Sequence, residues 1–457
     1  MRKSGFYEAW LRNAHDINTL TCTDVALHAK KRRLLNLAFT DQSLRASGPF
    51  MARHIDRWNE LLPGDTKNDS EWSEPRDIST WSDYLLFDLL GDLCFGTNFE
   101  TKELRENKLK TIPHSIADFV KLFYAVSNVF TTDSAAIDHS NQIAKSALLD
   151  VILWLKPRGL DSLMLMATPT NLKEYYAFVE DSVARRVQVE RQRERENVVP
   201  EREDMFHFLC TARDPETGEL AFSTSELNAE ANLLIIAGSD TTANMLCAVF
   251  FYICHYPRAY AKLVAEIREM FSSPDDIVQG PTLLTDCKYL RACIDEAFRL
   301  APAMPSELER KVLPGGATIA GEVIPEGVNL GIVHWALGRN EEFYGGDVNV
   351  YRPERWIVAD DAAHGNPDEE VKRLRRGLHT FGKGVGNCIG RKVAMLQLSM
   401  AVARTLWRFD VRVAPGQQLG EGRAELGWGR RDRNTYMLRD AFIAVREGPV
   451  LQFKARK

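Results

Sequence analysis

The sequence lacks the features that mark membrane-spanning, secreted and nucleic-acid-binding proteins. No apolar run of about 20 residues is present, and no apolar stretch follows the charged start 1–5, so neither a membrane span nor a signal peptide is predicted. The eight cysteines do not show the tight, even spacing of a disulfide framework. The formal net charge is -5, without the basic excess typical of nucleic-acid binding, so no nucleic-acid partner is expected. No internal repeat or long Gly/Ser/Pro-rich linker divides the chain.

The composition is that of a folded chain with a large core. Of the 457 residues, 45% are apolar and 26% are charged. Apolar periodicity predicts helices over most of the chain up to about residue 300. They include a long central helix over 223–255, which starts at a capping box of Ser223 and Glu226 and is stopped by Pro257. Short β-branched runs between turns follow, so we predict a mainly α fold with a minor β portion.

A glycine-rich loop over 381–390 carries Cys388. Its glycines exclude a regular helix and allow the backbone to approach a bulky group closely. An apolar helix follows, and backbone N–H groups and the helix dipole favour a thiolate at a cysteine that immediately precedes a helix. A thiolate in this position can bind haem iron. The alternative is a glycine-rich turn with a buried structural cysteine.

A polar segment, 237–242, interrupts the apolar pattern of the long helix. A helix-interior glycine costs about 1 kcal/mol, and buried polar groups cost more unless they are paired, so the interruption needs a reason. One interpretation is a kink in which Ser or Thr hydroxyls bond back to the helix. The other is a groove for a small reactant, in which Gly238 leaves room while Asp240 and Thr241 form an acid–alcohol pair that relays protons.

Two pairs of charged residues stand at helical spacing. Glu296 and Arg299 lie three residues apart and share one helix face. His28 and Arg32 lie four residues apart on an early basic helix, whose ordinary interpretation is a solvated face. Neither pair would be informative alone, because surface pairs of this kind are common.

Together, these motifs resemble the cytochrome P450 family. The spacing Phe-x-x-Gly-x-x-x-Cys-x-Gly over 381–390 matches the family's haem-binding loop, and 237–242 match its Ala/Gly-Gly-x-Asp/Glu-Thr-Thr motif. The segment 351–356 is similar to the family's Pro-Glu-Arg-Phe segment. The segment 18–24 leading to His28, together with Pro-Glu-Arg-Trp-Ile over 353–357, looks like fungal members acting in secondary metabolism. The resemblance implies one P450-type helical domain over 1–457, with the haem-binding loop and its following helix at 378–406.

The resemblance also implies a cofactor and roles for individual residues. The cofactor is haem b (iron protoporphyrin IX), with Cys388 as the iron ligand. Asp240 and Thr241 become the catalytic pair, and Arg355 joins Glu296 and Arg299 in a buried structural triad. Propionate-binding roles fall on His28, Arg32 and Arg310. The other cofactor-binding residues, all in the cysteine loop, are Phe381, Gly384 and Gly390.

The implied activity is that of a haem-dependent monooxygenase that uses O2. Electrons would come from an NADPH–cytochrome P450 reductase, and the substrate would be a lipophilic small molecule, terpenoid or polyketide-like, that is hydroxylated. Family members work at the cytosolic face of the endoplasmic reticulum, whereas no anchor is expected in this chain, which leaves a cytoplasmic location open. Basic residues near the loop form either an ordinary charged segment or a docking face for an acidic reductase. They are Lys372, Arg373, Arg375, Arg376, Lys383, Arg391 and Lys392.

Two departures from the family pattern bear on these expectations. Gly386 stands where the family usually has Arg or His, which removes one propionate contact worth roughly 1.5–3 kcal/mol and predicts weaker haem retention. His28 also comes much earlier than in membrane-bound members, which suggests that the anchor, first helix and first strands are missing. The alternative function is therefore a truncated, haem-poor remnant. A haem-thiolate isomerase or dehydratase is a third alternative, against which the Asp240–Thr241 pair argues.

Overall fold

A computed structural model describes residues 1–11, 16–64, 71–113, 115–117, 170–198, 204–214, 217–357, 367–427 and 429–456. Helices dominate these residues and strands are short, which confirms the predicted mainly α class with a minor β portion. The chain divides into two compact units. The first comprises Met1–Thr40, Thr111–Ile236 and Glu307–Ile332, and the second comprises Asp41–Lys110, Ala237–Ser306 and Val333–Lys457. A single domain over 1–457 stays a prediction.

The described helices are numbered here in chain order. They are α1 (Phe6–Ala9), α2 (Val25–Leu35), α3 (Asp41–Leu61), α4 (Ile78–Phe95), α5 (Thr170–Glu196), α6 (Met205–Thr211), α7 (Thr224–His255), α8 (Pro257–Met270), α9 (Lys288–Leu300), α10 (His334–Leu337), α11 (Glu341–Tyr344), α12 (Pro367–Gly377) and α13 (Arg391–Arg408). The long helix α7 begins one residue later than the sequence predicted. Its capping box is formed as expected, since Ser223 N donates to Glu226 Oε2 at 3.0 Å and Glu226 N donates to Ser223 Oγ at 3.2 Å.

The described strands form small antiparallel sheets. They are β1 (Arg2–Lys3), β2 (Arg76–Asp77), β3 (Arg310–Lys311), β4 (Ala317–Ile319), β5 (Glu322–Ile324), β6 (Asn329–Leu330), β7 (Phe409–Val413), β8 (Leu438–Arg439), β9 (Val445–Arg446) and β10 (Val450–Ala455). The sheet orders are β1-β3-β6, β4-β5, β2-β10-β7 and β8-β9. The pairing of β1 with β3 places Lys3 directly opposite Arg310, so two cations meet across the ladder.

The first unit is built around α2, α5 and α6. The side chain of Asp24 caps α2 by accepting a hydrogen bond from the amide of Leu27 at 2.7 Å. The short helix α6 packs against both α2 and α5. The buried Glu230 of α7 accepts hydrogen bonds from the amide and hydroxyl of Thr19, both at 2.8 Å, and ties the segment before α2 to this unit.

The second unit packs helices around a buried stretch of α7. Residues 243–253 of this helix are all buried, as expected for a core helix. Helix α3 packs against α4 and α13, and α9 packs against α8, α13 and the 3₁₀ turn Pro353–Trp356. Among the described residues, α7 is long and apolar enough to span a membrane, and 67% of its apolar window is buried within the protein. The absence of a membrane span stays a prediction.

Candidate functional site

The glycine-rich loop 381–390 is a tight turn that ends in front of α13. The amide of Cys388 donates to the carbonyl oxygen of Phe381 at 2.7 Å, which closes the turn. Gly382 and Gly384 have φ angles of 66° and 72°, in the left-handed region that side chains disfavour. The loop therefore needs glycine at both positions in order to present Cys388 before the helix.

The thiol of Cys388 is presented outwards. Of the eight cysteines, all of which the structure describes, Cys388 alone is exposed, while the others are buried or partly buried. The alternative of a buried structural cysteine is therefore wrong. The N-terminus of α13 favours a thiolate at Cys388. This thiolate suits the metal ion of a prosthetic group, which needs a single ligand from the protein.

Both ends of the loop are fixed by the protein. The ring of Phe381 packs edge-on against Phe298 of α9, with ring centroids 5.0 Å apart, and the guanidinium of Arg391 lies 5.7 Å from the Phe381 centroid. Gly390 is the N-cap of α13, and its carbonyl oxygen accepts the amide of Ala394 at 2.8 Å. Phe381 thus anchors the start of the loop, and Gly390 joins its end to the helix.

The predicted structural triad is present and fully buried. Arg299 donates to Glu296 through Nε at 2.8 Å and through Nη2 at 2.7 Å, and Arg355 Nε lies 3.4 Å from Glu296 Oε1. The indole of Trp356 donates to Glu296 Oε2 at 2.9 Å. Arg299 also binds the carbonyl oxygens of Gly338 and Val348, each at 2.6 Å. A second carboxylate, Asp347, lies with its Oδ1 2.9 Å from Arg355 Nη2, so both guanidinium charges are compensated. The role of the group is therefore to fix the segments around α9.

In the polar segment of α7, the side chains of Asp240 and Thr241 bind different partners. Thr241 Oγ1 donates to the carbonyl oxygen of Ala237 at 2.6 Å, the back-bonded arrangement that the sequence left open. Asp240 Oδ1 instead accepts a hydrogen bond from Arg446 Nη1 at 2.8 Å. Within the described residues the two side chains share no hydrogen bond, so their joint role in proton delivery stays a prediction.

Gly238 has a different structural role from the one inferred for it. A Cβ atom built on Gly238 would lie 2.7 Å from Leu90 Cδ1, so that the end of the leucine side chain would have to shift. The missing side chain therefore lets α7 approach α4, and the interpretation that Gly238 opens a groove is wrong. The open position is Ala237, which is exposed beside partly exposed Thr241, whereas Thr242 is buried. The helix thus presents Ala237 and Thr241, one turn apart, on an uncovered face.

A cluster of basic residues lies in the first unit. His28 and Arg32 share one face of α2, and β1 and β3 bring Lys3 opposite Arg310. Lys3 Nζ donates to the carbonyl oxygens at positions 19 and 20, both at 2.7 Å. Arg310 Nη1 donates to the hydroxyl of Tyr7 at 3.0 Å. The charges of these basic residues affect one another, as the pKa values of His28 and Lys3 show.

Burial and mutual repulsion make this basic cluster costly without an anion. Burial, with the charges of Arg310 and Arg32, lowers the pKa of Lys3 to about 8. Burial, with the charges of Lys3, Arg32 and Arg310, lowers the pKa of His28 to about 4. His28 is therefore neutral at pH 7 and acts as a hydrogen-bonding group. A half-buried group of cations fits a ligand with carboxylates, such as the two propionates of a haem.

Lys3 belongs to this basic cluster, although the sequence did not indicate it. The resemblance implied propionate-binding roles for His28, Arg32 and Arg310, and the pairing of β1 with β3 brings Lys3 close to these three residues. The two strands are separated by about three hundred residues, and β1 is too short to be recognised by alternation. In the sequence around Lys3, only the nearby aromatic residues Phe6 and Tyr7 indicated partial burial of this lysine.

Comparison with known proteins identifies the family. A family model described as Cytochrome P450 matches residues 2–425. The chain belongs to the cytochrome P450 family. It is 33% identical over 462 residues to a cytochrome P450 monooxygenase of Gibberella zeae, covering 100% of this chain and 95% of the relative. It is 31% identical to the cytochrome P450 monooxygenase poxM of Penicillium oxalicum, over 99% of this chain and 77% of the relative. The cytochrome P450 monooxygenase apf7 of Gibberella fujikuroi is also 31% identical, over 96% and 78%.

Family membership confirms several predictions made from the motifs. The chain is an oxidoreductase, a P450 monooxygenase whose cofactor is haem b, and its relatives are the fungal type that the motifs predicted. O2, a redox partner and a lipophilic substrate belong to the family's reaction. The exposed thiol of Cys388 and the basic cluster of the first unit both suit haem b.

The basic residues around the loop are partly neutralised by neighbouring acids. Lys372 pairs with Glu369 at 2.9 Å, and Lys392 pairs with Asp41 at 2.5 Å. Arg373 pairs with Glu370 at 2.7 Å, and Arg375 approaches a carboxylate of α9 at 3.9 Å. The remaining members are also exposed: Arg376, Lys383 and Arg391. The positive charge around the loop is therefore carried mainly by Arg376, Lys383 and Arg391.

Proposed function

We propose that this P450 hydroxylates a lipophilic small molecule, terpenoid or polyketide-like, in fungal secondary metabolism. The observation that carries the proposal is the exposed thiol of Cys388 at the end of a closed glycine-rich loop and in front of α13. The fungal monooxygenases that resemble the chain over nearly its full length support the pathway type. The apolar character of Ala303 and Met304, beyond α9, supports a lipophilic substrate.

Each proposed cofactor-binding residue has a distinct task. Cys388 binds the iron through its thiolate, while Phe381, Gly384 and Gly390 keep the loop in the shape that presents the sulfur. Arg32, Arg310 and neutral His28 bind the propionates, and Lys3 adds a further charge. Haem b, when bound, supplies O2 activation: one oxygen atom enters the substrate, and the other leaves as water after two electrons and two protons are delivered.

The protein's contribution to this reaction is the supply of protons. Thr241 Oγ1 holds its own proton toward Ala237 and keeps its lone pairs on the uncovered side of α7. Thr241 Oγ1 can accept a hydrogen bond from a water there and so hold that water in place as the proton donor. Asp240 is the preceding residue and is partly exposed, so its carboxylate can take a proton from solvent and pass it to that water. Electrons would arrive from an NADPH-dependent reductase that docks on the face of Arg376, Lys383 and Arg391.

Gly386 supports a second candidate, a haem-poor remnant. This residue lies in the 3₁₀ turn Gly384–Gly386 and offers no side chain to a propionate. Weak haem retention would leave a folded chain with little activity. The basic cluster of the first unit, with Lys3 as an added member, argues for retention.

The deciding experiment combines a spectrum with isotope-labelled turnover. Purified protein is supplied with haem, and the reduced carbon-monoxide spectrum is recorded for the wild type, Cys388→Ser and the control Cys210→Ser. We expect the red-shifted Soret band of thiolate ligation in the wild type and the control, and its loss in Cys388→Ser. Limonene and other terpenoids that shift the Soret band are then tested with NADPH, reductase and 18O2. A product carrying one labelled oxygen is expected, and a haem-free protein or an unlabelled product would contradict the proposal.

A further inference from the structure

A buried arginine links the acid of the long helix to a second acid. Arg446, in β9, donates from Nη1 to Asp240 Oδ1 at 2.8 Å and from Nη2 to Asp83 Oδ1. The side chain of Arg446 is 5% exposed, compared with 14% for Asp240 and 21% for Asp83. The three residues come from β9, α7 and α4, so the tertiary fold alone brings them together.

The arginine is held as a permanent charge. Burial opposes protonation, but the carboxylates of Asp83 and Asp240 keep the pKa of Arg446 well above its usual range. The other ionisable groups around Arg446 are Cys247 and Tyr436, and burial raises the pKa of both, so they are uncharged at pH 7. One cation therefore faces two carboxylates, and the planar guanidinium uses a different nitrogen for each of them.

The hydrogen bonds leave one oxygen of Asp240 available. Both side-chain donors to this carboxylate, Arg446 at 2.8 Å and Asn244 at 3.4 Å, bind Oδ1. Among the residues that the structure describes, Oδ2 has no protein partner. Asn244 also bonds the backbone oxygen of Asp240 at 3.1 Å, which fixes the turn on which the acid stands. A bridge that served stability alone would commonly engage both oxygens, as Arg186 does with Asp204.

We propose that Arg446 is the positioning residue for Asp240, with Asp83 as its counter-anchor. Arg446 holds Oδ1 and so orients Oδ2, the oxygen that takes up and releases the proton. Asp83 binds the guanidinium from the other side, so the charge of Arg446 is shared between two carboxylates. The inference rests on the proposed proton-delivery role of Asp240, which it deepens.

The first test needs neither haem nor substrate. The infrared band of the Asp240 carboxyl is identified by its absence from Asp240→Asn. Its intensity is then followed against pH in the wild type, Arg446→Gln, Arg446→Lys and Asp83→Asn. In Arg446→Gln the carboxyl of Asp240 is expected to become protonated at a pH higher by roughly one unit or more, because two carboxylates then lose their shared cation. Arg446→Lys should restore the wild-type midpoint in large part, and Asp83→Asn should move it to lower pH. The control is Arg186→Gln, another buried arginine between two acids, which should leave the midpoint unchanged.

The second test uses the holoenzyme with its reductase. Asp240→Asn is expected to slow NADPH consumption roughly 100-fold, and Arg446→Gln roughly 10-fold with a larger solvent isotope effect. Arg446→Lys should recover most of the rate. If Asp240→Asn is slow but Arg446→Gln keeps wild-type rate and midpoint, the positioning role is refuted and the proposed function stands. If Asp240→Asn is itself unaffected, proton delivery by Asp240 fails. Should Arg446→Gln not fold, an unchanged midpoint in Asp83→Asn would refute the proposal.

Discussion

Replacing Lys3 with methionine should change the stability of the haem-free protein and the retention of haem in a linked way. Burial and two neighbouring arginines lower the pKa of Lys3 to about 8, whereas an unfolded lysine titrates near 10.4. The folded state therefore binds this proton less tightly than the unfolded state does. Stability from Lys3 is present above the unfolded pKa and is lost as the pH falls to about 8, so the charged side chain is a penalty at pH 7.

The magnitude follows from the shift. The loss of folding free energy caused by charged Lys3 grows as the pH falls from 9.5 to the folded pKa of about 8 and is then constant down to pH 7. These about 1.5 pH units correspond to an upper bound of about 2 kcal/mol. A comparison across pH is more informative than one at a single pH, because methionine also loses two hydrogen bonds to backbone carbonyls. With haem bound, the same charge meets a propionate, and its loss should cost roughly 1.5–3 kcal/mol, or 10- to 100-fold in haem retention.

Chemical denaturation of haem-free protein at pH 7 and pH 9.5, and the rate of haem transfer to apomyoglobin, measure the two effects. The control is Lys311→Met, because Lys311 follows Arg310 in β3 and its side chain leaves the other face of the ladder. We expect Lys3→Met to lose the pH-dependent gain in stability and to release haem faster, while Lys311→Met resembles the wild type. Wild-type haem release by Lys3→Met would refute the assignment of the basic cluster to the propionates.

Further predictions test the other parts of the account. Because the folded pKa of His28 is about 4, the haem-free protein should lose stability as the pH falls from 6.5 to 4, and His28→Phe should flatten that loss in a denaturation series. Glu296→Gln leaves two buried arginines undercompensated and should destabilise the protein by about 3–5 kcal/mol in urea unfolding, whereas the exposed Glu369→Gln should be nearly neutral. Gly238→Ala should not show the gain of about 1 kcal/mol that alanine normally brings to a helix interior, because its Cβ atom meets the tip of Leu90; a raised melting temperature would contradict the close packing at Leu90. Gly386→Arg should slow haem transfer to apomyoglobin, and an unchanged rate would remove the proposed reason for weak retention.

The parts of the site that could be predicted from sequence are those in which local spacing determines the geometry. The glycines of loop 381–390 lie where φ is positive, and Cys388 emerges before a helix, as the pattern indicated. Glu296 and Arg299 pair because three residues is nearly one helical turn, and the family pattern supplied Arg355. The capping box at Ser223 fixed the start of α7 to within one residue.

The parts that could not be predicted depend on contacts between distant segments. Lys3 reaches the basic cluster through a two-residue strand, and Arg446 reaches Asp240 from the end of the chain. Neither pairing leaves a periodic trace in the sequence. Gly238 was given the wrong role because the sequence shows that a side chain is missing but not which neighbour occupies the space; that neighbour is Leu90.

The central claim is that the sulfur of Cys388 is bonded to the haem iron. Iron K-edge X-ray absorption of the haem-loaded protein tests it most directly, because sulfur and nitrogen scatterers are distinguishable at the metal. We predict one sulfur ligand in the wild type and in Cys210→Ser, and none in Cys388→Ser. An iron ligated only by nitrogen and oxygen in the wild type, or a sulfur that persists in Cys388→Ser, would contradict the account.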